Sequence, residues 1–108
     1  MTLAGRNILV MGMGRSGVSA ARYALSSGAS VTVTDLREDA PKVEGARHTY
    51  GRHDRADFTA ADLIIVSPGI PARAPDIVAA QAAGVRVVSE LGFAAEIIQD
   101  RGIPIIAV

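Results

Sequence analysis

Gly12-Met13-Gly14-Arg15-Ser16-Gly17 directly follows the apolar run Asn7-Ile8-Leu9-Val10-Met11 and opens a segment with helical spacing. In that setting the three glycines let the chain turn sharply at the end of a strand. They also let the backbone approach an anion and let the helix pack closely on the strand. Free backbone N–H groups at the helix start attract negative charge, each favourable dipole contact being worth ~0.3–1 kcal/mol. Ser16 adds a hydroxyl donor and Arg15 a cation, so a diphosphate is the ligand these residue types fit. The plainer role for the same residues is close strand–helix packing, with Ser16 as a helix cap.

Asp35 ends the β-branched run Ser30-Val31-Thr32-Val33-Thr34, about 18 residues beyond Gly17. Dinucleotide-binding proteins keep an acid there for the adenosine ribose hydroxyls. The same carboxylate could accept an N–H from a base or simply face water. Two residues on, the planar guanidinium of Arg37 suits stacking on a base or pairing with phosphate, although a surface arginine is an equal alternative. Ser67-Pro68-Gly69 ends the strongest apolar run, Asp62 to Val66, and offers a hydroxyl at what is otherwise a generic turn.

His48 and His53 lie near Asp54 and Asp57, but at a spacing that matches no standard metal-ligand pattern, so a surface role is expected for them. The sequence offers no Ser/His/Asp or Cys/His arrangement and no paired acids, hence no catalytic residue and no metal ligand. These residues describe a binding module without a reaction centre of its own.

The elements that must carry the module alternate. A strand at 7–11 is followed by a helix at 16–27 that Gly28 stops, and by a second strand at 30–34. A short strand at 46–50, a single helical turn and a strong strand at 62–66 come next. Then follow a helix at 76–83, a strand at 85–88, a helix at 90–100 and an apolar segment at 105–108 that reads as one more strand. This is the pattern of the α/β class, a Rossmann-like doubly wound parallel sheet of about five strands with flanking helices. In the order 3-2-1-4-5 the loops after the first, second and fourth strands meet where strand order reverses, the place such sheets bind ligands.

The 108 residues suffice for one core, and 49% are hydrophobic. No cysteine is present, which excludes disulfide scaffolds and Cys-ligated zinc. Eleven basic residues balance eleven acidic ones, leaving no basic field for nucleic acid and no basic stripe for a membrane surface. The apolar runs are far shorter than the ~20 residues a bilayer span requires, and Met1 to Gly5 lacks a signal peptide's basic start. A cytoplasmic location is expected.

Taken in order, Gly12 to Gly17, Asp35-Leu36-Arg37, Ala61 to Ile70 and the closing Gly102-Ile103-Pro104-Ile105-Ile106-Ala107-Val108 resemble the N-terminal domain of the Mur ligases, in particular the branch that adds D-glutamate. The resemblance implies a cytoplasmic, ATP- and Mg2+-dependent enzyme of peptidoglycan synthesis. It would extend UDP-N-acetylmuramoyl-L-alanine by D-glutamate through an acyl phosphate. Residues 1–91 would hold the UDP moiety, and 92–108 would be a linker helix and the first strand of a central ATP-binding domain. ATP and D-glutamate would bind in the other domains.

By position, the resemblance places Gly14, Arg15, Ser16 and Gly17 at the diphosphate and Asp35 and Leu36 at the uracil edge. Arg37 would lie beside the uracil, and Ser67, Pro68 and Gly69 would close the site. Leu36 leaves only its backbone N–H for the base, and Arg15 stands where relatives can carry an apolar residue. The 108 residues end before the family's lysine-containing phosphate loop, so this chain alone is expected to be inactive. Ile103 to Val108 would lack its normal neighbours and could drive self-association. The rival from another class is an NAD-binding module of an oxidoreductase or regulatory subunit, which leaves Arg37, Ser67 and the last strand unexplained. A ligand-free interaction domain would leave the glycine loop without a purpose.

Overall fold

Four of the five strands in the computed structural model, which describes residues 2–71 and 73–100, are built from the β-branched and apolar runs of the sequence. Strand β1 (Asn7–Met11) is followed by helix α1 (Arg15–Ser26), β2 (Ser30–Asp35), β3 (Arg47–Tyr50) and α2 (Arg55–Ala60). Then come β4 (Leu63–Val66), α3 (Pro75–Ala82), β5 (Arg86–Ser89) and α4 (Glu90–Asp100). All four strand pairs are parallel and the order is β3-β2-β1-β4-β5, as the alternation of elements predicts. The strand expected at 105–108 lies outside the described residues.

Central strands of a parallel sheet are covered on both faces, which is why β1 and β4 read as continuous apolar runs. Alternate side chains separate into two cores. Ile8, Val10, Val31, Val33 and Ile65 face α1 and α4, whereas Leu9, Met11, Ile64 and Val66 face α2 and α3 with Phe58 and Ile77. Ala20, Ala21 and Ala24 on the inner side of α1 are buried, and their small side chains let the helix lie close to the sheet. Each large side chain taken fully from water contributes ~1.5–3 kcal/mol. Phe93 of α4 joins the first core edge-on to Tyr23, with ring centroids 6.1 Å apart.

Small departures from the sequence reading have local causes. Helix α1 opens at Arg15 because the Gly14 carbonyl already accepts the Val18 N–H at 3.0 Å, making Gly14 the cap and leaving Ser16 inside the first turn. β2 runs on to Asp35 because that residue pairs with Tyr50 of β3. The single turn expected before β4 is the six-residue helix α2, whose Ala56 N–H donates to the side chain of Asp54.

Candidate functional site

Three loops are sewn together at the carboxyl ends of β2, β1 and β4. The Gly12 N–H donates to the Thr34 carbonyl at 2.9 Å, and the Ser67 N–H donates to the Met11 carbonyl at 3.0 Å. Gly12 has a φ of +94°, and a β-carbon there would stand 2.6 Å from the Cβ of Ser67, so only glycine permits the turn and the contact together. At Gly17 an added β-carbon would meet the Gly12 carbonyl oxygen at 2.1 Å, which is backbone against backbone. Gly14 differs, because nothing lies within 4 Å of its missing side chain. The first and last of these glycines therefore serve close packing, while the middle one leaves open space at the start of α1. The N–H groups of Arg15, Ser16 and Gly17 precede the first helical hydrogen bond and are the orphan donors of that helix end.

Asp35, 8% exposed, is the hub on the β2 side. Its Oδ2 accepts the Met13 N–H at 2.8 Å and Nη2 of Arg37 at 2.9 Å, and its Oδ1 accepts the Arg37 N–H at 2.9 Å and Arg37 Nε at 3.1 Å. Arg37 Nη2 also donates to the Met13 carbonyl at 3.2 Å. The bonded guanidinium, chiefly, holds the Asp35 carboxyl down at about 2; burial opposes this, and the Arg37 and Met13 N–H groups reinforce it. The acid at the end of β2 is thus already filled with donors, and it locks the glycine loop to the turn after β2.

A cavity of about 200 Å³ opens between these loops, lined by Gly12, Asp35, Leu36, His53, Ser67 and Ile70. Leu36 is largely exposed at its mouth. All ten residues singled out in the sequence lie at this end of the sheet. Gly14, Arg15 and Ser16 are exposed around the first turn of α1, and Gly17 is buried beneath it. Asp35, Leu36 and Arg37 form the turn after β2. Ser67 is half-buried against Gly12, and Pro68 and Gly69 are exposed beyond it.

Three residues at this end, His53, Ile70 and Glu90, carry no site signal of their own in the sequence. His53 enters because β3 lies beside β2, which brings the loop after β3 to the cavity; its Nδ1 is 2.7 Å from Thr34 Oγ1 and its ring stands edge-on to Phe58. His48, also expected at the surface, is half-buried and its Nε2 accepts the Val43 N–H at 2.9 Å. Ile70 adds an apolar wall. Glu90, the first residue of α4 directly after β5, is 8% exposed; its Oε1 has no hydrogen-bond partner among the described residues and stands 3.4 Å from where a Gly17 β-carbon would be. Only the sheet order brings His53 and Glu90 to this end of the sheet. Among the described residues no group of three His, Asp or Glu gathers as a metal site, and no helix is long and apolar enough to cross a membrane.

The parallel sheet, its order and the glycine turn define the Rossmann-like class of α/β domains. Within that class the chain belongs to the Mur ligase MurD-like N-terminal domain family, whose model matches residues 6–89. UDP-N-acetylmuramoylalanine–D-glutamate ligases of Geobacter metallireducens and Pelobacter propionicus are 42% and 40% identical to it over 116 aligned residues. Those alignments cover 100% of this chain and 25% of each relative, so the chain spans about a quarter of their length. The structure of a pseudomurein peptide ligase type C from Methanothermus fervidus is similar with a TM-score of 0.70 and 26% identity, over 82% of this chain and 20% of that one. A D-2-hydroxyisocaproate dehydrogenase shares the fold, with a TM-score of 0.63 and 21% identity over 94% of this chain and 33% of its own.

Proposed function

We propose that this chain is the UDP-binding domain of an ATP-dependent ligase that adds D-glutamate to UDP-N-acetylmuramoyl-L-alanine in peptidoglycan synthesis, acting in the cytoplasm. One observation carries the reading. In a chain of the MurD-like family, the loops after β1, β2 and β4 are hydrogen-bonded into one site with open space at Gly14 and a base-sized cavity beside it.

In this reading the N–H groups of Arg15, Ser16 and Gly17 take the diphosphate at the positive end of α1, with the Ser16 hydroxyl and the Arg15 cation beside them. The uracil lies toward Asp35, Leu36 and Arg37. Leu36 offers its backbone N–H, and Asp35 holds Arg37 and the Met13 loop in place. Ser67, Pro68 and Gly69 close the site from β4. Residues 1–91 form the nucleotide domain and 92–108 lead toward a central ATP-binding domain, with a terminal strand able to self-associate if exposed.

The work of this domain is to bind and orient, so that the L-alanine carboxylate is presented to groups outside it. ATP, with Mg2+, would supply the phosphoryl group that activates the carboxylate. The described residues gather no cluster suited to hold the metal, so no step is derived through it.

The test is an assay of the whole protein that contains this chain. Phosphate release from ATP that needs both UDP-N-acetylmuramoyl-L-alanine and D-glutamate is the expected result. Release that ignores either substrate would reject the assignment.

A further inference from the structure

Helices α1 and α4 lie side by side on one face of the sheet, and between them runs a groove of about 490 Å³. Ala20 and Tyr23 of α1 and Phe93, Ala94 and Ile97 of α4 line it, so its walls are apolar. Each of the two helices follows a strand of the same parallel sheet, so both begin at the sheet's carboxyl end. The polar end of the groove is there, where Ser16 and Glu90 line it. From Glu90 to Ile98, which lines the other end, α4 rises roughly 12 Å.

Glu90 gives the groove its chemistry. The residue is 8% exposed, and its Oε1 is buried without a hydrogen-bond partner among the described residues. A buried carboxylate oxygen without a donor is costly, and a positively charged donor relieves that cost most fully. The start of α4 does not supply one, because the Gly92 N–H donates to Ser89 Oγ at 2.9 Å. An anion would add like charge, and a wholly apolar molecule would leave the oxygen unpaired. Among the described residues Glu90 belongs to no group of three His, Asp or Glu, so its surroundings fit an organic cation better than a coordinated metal ion. A concave, mostly apolar site of this volume with one converging charged group is the form that small organic ligands occupy.

We infer that the groove between α1 and α4 binds an amphiphilic amine, whose apolar body lies along Tyr23, Phe93 and Ile97 and whose ammonium group donates to Glu90 Oε1. The site also reaches the nucleotide end. Glu90 Oε1 stands 3.4 Å from where a Gly17 β-carbon would be, beside the first turn of α1. A cation bound there offsets the carboxylate charge next to that turn, so the amine and a diphosphate favour each other's binding by one common factor. The groove site stands on its own observations; the coupling rests on the uridine-nucleotide reading given above.

The experiment is calorimetric titration of the chain at pH 7 with phenylbutylamine, which is protonated there, and with phenylbutanoate, of similar shape and opposite charge. The parent is expected to bind the amine saturably and at least about tenfold more tightly than the carboxylate. Glu90→Gln keeps the shape of the side chain and removes its charge, and should weaken amine binding about tenfold, the scale of one hydrogen bond between charged groups. Ala94→Trp places a ring in the groove from an exposed position of α4 and should abolish amine binding while UDP affinity stays parental. That variant decides if Glu90→Gln does not fold, as judged by circular dichroism. Saturating amine should tighten UDP binding severalfold in the parent and leave it unchanged in Glu90→Gln. No saturable amine binding by the parent, as when another segment of the polypeptide covers the groove, overturns the site. So does equal affinity for phenylbutanoate, or parental amine binding by folded Glu90→Gln or Ala94→Trp. A parent that binds the amine but no UDP overturns the uridine-nucleotide reading, and the coupling with it, and leaves the site standing. A parent that binds both without mutual effect overturns the coupling alone.

Discussion

The Asp35 carboxylate, at the end of β2, accepts the backbone N–H of Met13 in the glycine loop at 2.8 Å, across 22 positions of sequence. That bond, with the two-pronged hold of Arg37 on the same carboxylate, makes the glycine loop and the turn after β2 one rigid unit. Preorganising both ends of a ligand site removes part of the ordering entropy that binding would otherwise have to offset.

Acid should loosen this unit. The Asp35 carboxyl is held at about 2, below its unfolded value near 3.9, so it contributes stability that is complete above the unfolded value and is lost as pH falls through about 2. Because Arg37 is more than half exposed and screened by solvent, the contribution is about 1–2 kcal/mol rather than the full shift. Urea unfolding from pH 6 to pH 2 should show the parent losing that much more stability than Asp35→Asn between pH 4 and 2. In the folded Asp35→Ala protein, UDP affinity should fall by ~1.5–3 kcal/mol, because the loop and Arg37 lose their tether. Parallel stability curves, or unchanged UDP binding, would remove Asp35 from this role.

The glycines should divide by function. Gly17→Ala forces a β-carbon into the Gly12 carbonyl and should cost about 2–4 kcal/mol in unfolding free energy. Gly14→Ala meets nothing and has an ordinary extended backbone, so its folding stability should change by less than about 1 kcal/mol. Its methyl group would instead stand at the mouth of the anion site and weaken UDP binding. Chemical denaturation and titration on the same two variants check the split; a strongly destabilised Gly14→Ala would contradict it.

The sequence made the strand, helix, strand opening and the sheet order legible, because β1 and β4 are apolar runs closed by Gly12 and by Pro68-Gly69, and β2 is a β-branched run. It also made legible the gathering of the Gly12–Gly17, Asp35–Arg37 and Ser67–Gly69 segments at one end of the sheet. The state of Asp35 was not legible. Whether a loop acid is free or filled depends on the side-chain conformation of a neighbour two residues away, and residue type does not encode that. His53 and Glu90 were missed for a different reason: each sits after a short strand with a weak pattern, and reaches the site only through the lateral order of the sheet. Phe93 reads as one apolar residue of a helix, and its place in the core beside Tyr23 depends on how α4 packs on α1.

Glu90 leaves a buried, unpartnered carboxylate oxygen beside the first turn of α1. Two unit charges several ångströms apart repel by roughly 2–4 kcal/mol at an effective dielectric near 20, so this residue opposes a bound diphosphate. Glu90→Gln should tighten UDP binding severalfold, about 1 kcal/mol, at pH 7 without lowering the melting temperature. Weaker binding by the folded variant would mean that the carboxylate is itself a contact for the ligand.

On the proposed function this Rossmann-like domain holds a uridine diphosphate rather than a nicotinamide dinucleotide. Calorimetric titration of the chain with UDP, UDP-N-acetylmuramoyl-L-alanine and NAD, under one buffer condition, tests it most directly. Saturable binding of both uridine ligands, each tighter than NAD, is the predicted result. Tighter binding of NAD than of either uridine ligand would contradict the account.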